Sequence, residues 1–278
     1  MKLGQKTVLV SMFLAGAMSH LAISEYNKPV YISKNSQGFE DTHNYVVLNG
    51  EVTGESVERV TKQLQAMLAQ TKGRILLEIN SPGGSVLDGE PLSALVASTD
   101  RIDVFVSGGL AASMGAQIMM SGSKVFAARQ SIILTHGASA GPLTQPLLEE
   151  LVSILVRVKE ARDSGADTPP VLSKAVKDSS LPAKLKLLIL NTVNNESVDS
   201  ILEEVSGTLE FLKIINSNGL VDVKERLKRA GLPEMSLDQI KEKFYNNFTK
   251  DKLMTAEQAK EAGLVDVVGS PNMDDYRR

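Results

Sequence analysis

The chain has no cysteine and no tryptophan, only three histidines, and 4% aromatic residues among 278. Without cysteine there are no disulfides, no thiolate metal ligands and no cysteine nucleophile, and the redox compartment stays open. Three histidines exclude a histidine-rich metal site. They also reduce any histidine base to His20, His43 or His136. The scarcity of aromatic rings argues against stacking on bases or sugars. The formal charge is −3 with the signs mixed, and no basic block stands out, so nothing points to nucleic acid. A Walker A motif, a GxGxxG opening a helix and an HExxH are all missing. The chain therefore carries no ATP site of its own, and neither a metal nor a cofactor is expected.

What is present is core-forming material. Hydrophobic residues make up 42% and charged residues 23%, the balance of a globular chain. The length fits one large domain or two small ones. At the N-terminus Lys2 and Lys6 precede the apolar run 7–18, and Ala15-Gly16-Ala17 fits a small-residue cleavage site. Residues 1–23 therefore read as an export signal, which implies a periplasmic or membrane-associated protein. An uncleaved anchor, a buried N-terminal segment and a cytoplasmic location are the alternatives. The run is short for a spanning helix, and nothing later is apolar for long enough to span a bilayer.

From residue 45 strand-like and helix-like stretches alternate. YVVLNGEV (45–52), RILLEINS (74–81), IDVFVS (102–107), KVFAA (124–128) and SIILTHG (131–137) read as strands. Val57, Val60, Leu64, Met67 and Leu68 share one helical face. A helix is expected at about 86–98, and another from Ser113 to about 121 after a Gly108-Gly109 turn. Short connections between such elements argue for an α/β fold with parallel strands. After Gly141 the pattern turns helical. Residues 146–162 form an amphipathic stretch with Leu147, Leu151, Ile154, Leu155 and Val158 on one face. DSGADTPP (163–170) reads as a loop, and 171–215 as mostly helical with breaks at Pro182 and 194–197. Residues 219–247 suggest two more helices, and TAEQAKEAGLVDVV (255–268) a short helix and a last strand. The division expected is 24–141 and 219–278 as one α/β core, with 142–218 a helical insertion.

Chemistry concentrates at GGLAASMG (108–115) and NSPGGSV (80–86). Ser113 follows a strand and opens a helix, where free N–H groups and the helix dipole favour negative charge. A serine nucleophile needs a base and oxyanion donors. His136, at the end of a strand, is the base that fits, since His20 lies in the signal-like segment and His43 in a polar arm. Met114 supplies one N–H, and a glycine of the 83–84 pair is the natural second donor. For the acid that would orient the imidazole, Asp88, Asp103, Asp251 and Asp266 all qualify.

Four segments, in order, resemble the ClpP family of serine peptidases, the proteolytic partners of Clp ATPases. They are YVVLNGEVTGESVERVTKQL (45–64), INSPGGSVLDG (79–89), GLAASMGA (109–116) and KDKLMTAEQAKEAGLVDVV (250–268). The resemblance implies a crotonase-like ββα spiral carrying a helical insertion. It implies Ser113 as nucleophile, His136 as base, Asp251 as orienting acid, and Gly84 and Met114 as oxyanion donors. It also implies peptides or unfolded proteins as substrates and a homo-oligomeric ring, with a Clp-type ATPase as partner only in the cytoplasm. The chain departs from the family at His136-Gly137-Ala138, where members usually continue His-Gln-Pro, and in the long stretch between His136 and Asp251. The alternative readings are a membrane-associated protease of the signal peptide peptidase type, and an inactive or acyl-CoA-type crotonase-fold protein.

Overall fold

The computed structural model describes residues 43–140, 143–193 and 197–278. The signal-like segment 1–23 and the polar arm as far as residue 42 lie outside the described residues. Those described form two compact units: residues 43–137 together with 217–278, and residues 138–216.

Along the chain, β1 (Tyr45–Asn49) leads to α1 (Gly54–Gln70), β2 (Ile75–Ser81), α2 (Val86–Ala97) and β3 (Ile102–Ala112). Then come α3 (Met114–Met120), β4 (Val125–Ala127) and β5 (Ile132–Thr135). The short strands β6 (Ser139–Ala140) and β7 (Leu143–Thr144) precede α4 (Gln145–Asp163), α5 (Thr168–Asp178), α6 (Ala183–Thr192) and α7 (Val198–Arg229). The chain closes with α8 (Leu237–Tyr245), β8 (Lys252–Thr255), α9 (Ala256–Glu261) and β9 (Val267–Val268).

The first unit is built on a seven-stranded sheet in which β1, β2, β3, β4 and β9 run in that order, all parallel. In β2, Ile75, Leu76, Leu77 and Ile79 are fully buried. A strand apolar at successive positions must be covered on both faces, as the middle of a parallel sheet is. Burying each such side chain is worth about 1.5–3 kcal/mol. Helix α1 begins with a capping box: Ser56 N–H donates to Thr53 Oγ1 at 3.3 Å, and Thr53 N–H donates to Ser56 Oγ at 3.0 Å. Its residues Val57, Val60 and Leu64 join the sheet core.

Strand β3 corrects the sequence reading. The Gly108-Gly109 pair, expected as a turn, lies inside an eleven-residue strand. The register against β2 shifts between Ile79 and Ser81, and Leu110 N–H donates to the Asn80 side-chain oxygen at 3.1 Å. That amide stands in for a ladder partner, so the chain continues past the irregularity instead of reversing. Because β3 continues, it changes neighbours. Val104–Val106 pairs with β4, and Leu110–Ala112 pairs with β5. Strand β8 then lies antiparallel on β5.

The second unit has its own core. On α4 the buried residues are Leu148, Leu151, Ile154, Leu155 and Val158, so Leu148 takes the inward place expected for Leu147. Helix α5 begins inside the segment expected as a loop, with Pro169 and Pro170 in its first turn, where a missing N–H costs nothing. Helix α7 runs unbroken for 32 residues where separate helices were expected on either side of 216–218. Gly219 disfavours a helix by only about 1 kcal/mol. The buried residues Leu212, Leu220, Val223 and Leu227 along the helix outweigh that cost. No helix among the described residues is long and apolar enough to cross a membrane.

Candidate active site

The loop after β2 is set by a bridge to Val52. Val52 N–H donates to Gly83 O at 2.8 Å, and Ser85 N–H donates to Val52 O at 2.9 Å. In a parallel bridge the central residue, here Gly84, keeps its own N–H out of the ladder. Gly84 is exposed, so that N–H is available to a ligand. Gly83 is buried against the Ser113 turn. A Cβ there would stand 2.5 Å from Ser113 Cβ and 3.1 Å from Met114 N, so only glycine lets the two loops approach this closely.

Ser113 joins β3 to α3 with φ 53 and ψ −125, a conformation that non-glycine residues rarely adopt. Its N–H donates to Leu134 O at 2.9 Å, and its carbonyl accepts the first bond of α3, from Gln117 N–H at 3.1 Å. The backbone is therefore fixed from both sides while the side chain caps nothing. The N–H groups of Met114 and Gly115 precede the first intrahelical donor and have no partner within the helix. A strained serine on a strand-to-helix turn, next to unclaimed backbone donors, is the geometry of a nucleophile elbow.

The pairing of β5 with β3 brings His136 to this turn. Ala112 lies opposite Leu134, and His136 follows two residues later, half-buried. Its Nδ1 is 2.7 Å from Gly137 O. A carbonyl oxygen only accepts, so Nδ1 is the donor in this contact, and in the neutral ring the lone pair then falls on Nε2. Opposite β5, the antiparallel register runs from Ile132↔Thr255 to Thr135↔Lys252. Continued one step beyond the paired residues, that register would set His136 opposite Asp251. The exposed Asp251 is held through its backbone carbonyl, which accepts from Asn246 Nδ2 at 2.9 Å. No hydrogen bond joins His136 to Ser113 or to the Asp251 carboxylate. Such bonds are often long or absent until substrate is bound.

Two of the other candidate aspartates have structural partners for their carboxylates. Asp103 is buried, pairs with the partly exposed Arg74 and accepts from the Tyr276 hydroxyl at 2.6 Å. Asp266 pairs with the buried Arg226 at 2.5 Å and accepts from Val125 N–H at 2.7 Å. Asp88 lies in the first turn of α2, where its N–H donates to the Ser85 cap at 3.2 Å. Among the described residues no group of three or more His, Asp or Glu side chains could hold a metal ion.

Sequence reasoning missed two features. First, Gln117, one turn along α3 from Ser113, donates through Nε2 to both Glu90 at 2.9 Å and Asp222 at 2.7 Å. Burial holds both carboxyls above their ordinary ionisation range, against the opposing pull of the Gln117 hydrogen bonds. Their separation along the chain hid the group. Second, the turn Asn246–Phe248 packs on Gly137, the residue after His136. Its only sequence signal was the Asn-Asn pair, which tolerates left-handed backbone.

A mainly parallel sheet whose longest strand ends in this serine turn, with His136 just past the end of a neighbouring strand, is the ClpP/crotonase-like α/β fold. Residues 18–154, just under half of the chain, match the family model described as Clp protease. The chain is 37% identical over 99 residues to the ATP-dependent Clp protease proteolytic subunit 3 of Rhodococcus jostii, covering 34% of this chain and 49% of that protein. Against proteolytic subunit 1 of Streptomyces coelicolor the identity is 34% over 98 residues, covering 34% and 45%. Against proteolytic subunit 1 of Prochlorococcus marinus it is 35% over 99 residues, covering 34% and 51%. The chain thus spans about half the length of the curated relatives it matches.

Proposed function

We propose that this chain is a serine endopeptidase acting on peptides or unfolded proteins, with Ser113 as nucleophile, His136 as base and Asp251 as the acid behind it. The observation that carries the reading is the backbone of Ser113, held at φ 53 with its hydroxyl unengaged, beside Gly83 and the end of β5.

In this mechanism Ser113 Oγ attacks the scissile carbonyl carbon and gives its proton to His136 Nε2. The carbonyl oxygen becomes an oxyanion that accepts from the N–H groups of Gly84 and Met114. Donors of this kind are typically worth about 2.7–4 kcal/mol each. The imidazolium then returns the proton to the leaving amine, and the acyl-enzyme forms as the C–N bond breaks. Water, deprotonated by the same imidazole, releases the acid and restores Ser113. Asp251, facing His136 in the extended register, favours the imidazolium electrostatically. The relatives named as ATP-dependent proteolytic subunits support a homo-oligomeric assembly. A Clp-type ATPase would join it only in a cytoplasmic form, because an exported chain would meet no ATP.

The test is covalent labelling with a fluorophosphonate alongside peptide turnover. Wild type should take up one label on Ser113, and Ser113→Ala should lose labelling and at least about 10⁴-fold of turnover. Retained turnover in Ser113→Ala would exclude the mechanism. The mass of the labelled chain also reads its N-terminus, which on export should begin near Met18.

A further inference from the structure

Asn246, Asn247 and Phe248 have φ of 45, 55 and 62, three consecutive left-handed residues of which none is glycine. Such a run persists only where its surroundings over-determine it. Here three contacts do so. Phe248 is buried, with 6% of the residue exposed. Its ring meets the Tyr245 ring edge-on at 5.6 Å between centroids, and Lys241 Nζ stands 5.1 Å over its face. Tyr245 is in turn tied through its hydroxyl to Gly219 O at 3.2 Å.

The turn touches Asp251 and the residue that follows His136. On one side Phe248 lies against Gly137. A Cβ at Gly137 would come within 2.7 Å of Phe248 Cδ1 and 2.8 Å of its Cβ. The carbonyl of Gly137 is the group that accepts from His136 Nδ1, at 2.7 Å. On the other side Asn246 Nδ2 donates to Asp251 O at 2.9 Å. Thr135 adds a third tie, since its hydroxyl donates to the Phe244 carbonyl at the end of α8. The bare Gly137, where the family usually has Gln-Pro after the histidine, is thereby explained: Phe248 occupies the space of a side chain.

We infer that Phe248, through Gly137, is a positioning residue for His136. By pressing on Gly137 it aims that carbonyl at Nδ1, which fixes the proton there and keeps the lone pair on Nε2. Asn246 holds the backbone of Asp251 in the same turn. The left-handed backbone is what lets one short segment reach both the chain just after β5, through Phe248, and the residue just before β8, through Asn246.

The inference rests on the serine peptidase reading for its kinetic arm only. In the full chain, Phe248→Ala, Gly137→Ala and the double variant are compared by fluorophosphonate labelling rate and by the ¹⁵N shifts of the His136 imidazole. Each single variant should slow labelling by about 10–100-fold, the scale of a small misplacement of a reacting group. The His136 nitrogens should move from a defined Nδ1–H tautomer towards a mixture. The double variant should be no slower than Phe248→Ala alone, because removing the ring also removes its collision with the methyl group that Gly137→Ala adds. Where Phe248→Ala unfolds, Phe248→Leu keeps the apolar fill and should show the same nitrogen shifts to a smaller degree. Unchanged nitrogen shifts in the Phe248 variants, or losses that multiply in the double variant, would overturn the inference. A wild type that takes up no label would defeat the peptidase reading, while the nitrogen shifts would still decide the role of Phe248.

Discussion

Asp251 and Asp266 illustrate how two carboxylates in one segment part company. Asp266 is committed to the Arg226 guanidinium, which is 1% exposed, and to Val125 N–H. Asp251 has its carboxylate free, at the end of the strand that faces His136. Asp266→Asn should therefore lower stability by about 3–5 kcal/mol, the cost of leaving a buried charge without its partner. Among the molecules that stay folded, turnover should be intact. Asp251→Asn should leave the urea midpoint near wild type and reduce kcat/KM by about 10–100-fold, the scale of a misoriented reacting group. That is less than the loss of about 10⁴ in a triad whose acid alone sets the tautomer, because here the Gly137 carbonyl already holds the Nδ1 proton. Urea melts and peptide kinetics on the two variants check both statements. A loss for Asp251→Asn as large as for Ser113→Ala would mean that the carboxylate, not the carbonyl, orients the ring. Four candidate acids were legible in the sequence. Setting two of them aside needed the partners of Asp103 and Asp266, which come from strands and helices far away in the chain.

At the scale of elements, α3 carries the serine at its first turn and is held at both ends. Its C-terminal carbonyls accept from Arg229, at 3.0 Å for Met120 O and 3.1 Å for Ser121 O, a cation where the helix dipole is negative. Its middle is held by Gln117 between Glu90 of α2 and Asp222 of α7. Both carboxyls ionise above their ordinary values, chiefly because they are buried, with the Asp222 charge adding to the effect at Glu90. The folded chain thus holds protons on this pair more tightly than the unfolded chain does. Its contribution is fully present below the unfolded values and is lost as pH rises through the folded ones. From about pH 4 upward, where unfolded carboxylates ionise, the pair should lower stability progressively. Glu90→Gln, which keeps an acceptor for Gln117 but removes one ionisation, should flatten that slope. Urea midpoints measured across the acid range decide it, and a slope in Glu90→Gln equal to that of wild type would refute the assignment. The strand β3 makes a related point. Glycine pairs are ordinary turn chemistry, so Gly108-Gly109 reads as a turn in the sequence. The Asn80 amide, thirty residues away, keeps it a strand.

At the scale of the whole molecule the described residues gather into two large apolar cores, beside a small cluster of Tyr45, Leu76 and Tyr276. One gathers the sheet residues with α1 to α3 and the second half of α7, including Leu220, Val223 and Leu227. The other gathers α4 to α6 with the first half of α7, including Val205, Leu209 and Leu212. A core substitution should be felt in its own unit first. Leu155, fully buried in the helical core, should cost about 2–5 kcal/mol on truncation in Leu155→Ala. Limited proteolysis of that variant should cut within 143–216 while 43–137 stays protected, and Ser113 should still label. Equal exposure of both regions would mean that the two cores melt as one.

Residue order by itself determined the alternation of strands and helices, the helical stretch after residue 141 and the glycine-bearing loop at 82–85 that meets Ser113. Each of these rests on local pattern: apolar periodicity for the elements, small residues where backbones meet. Tertiary structure decided what local pattern cannot carry. It set β3 through its glycines, made α7 one helix, and aligned β8 so that Asp251 follows the register towards His136. It also put Phe248 over Gly137, which lies far earlier in the chain. Pairings of that reach depend on which strand edges and helix faces remain open once the local elements have formed, and a single run of residues holds no record of those.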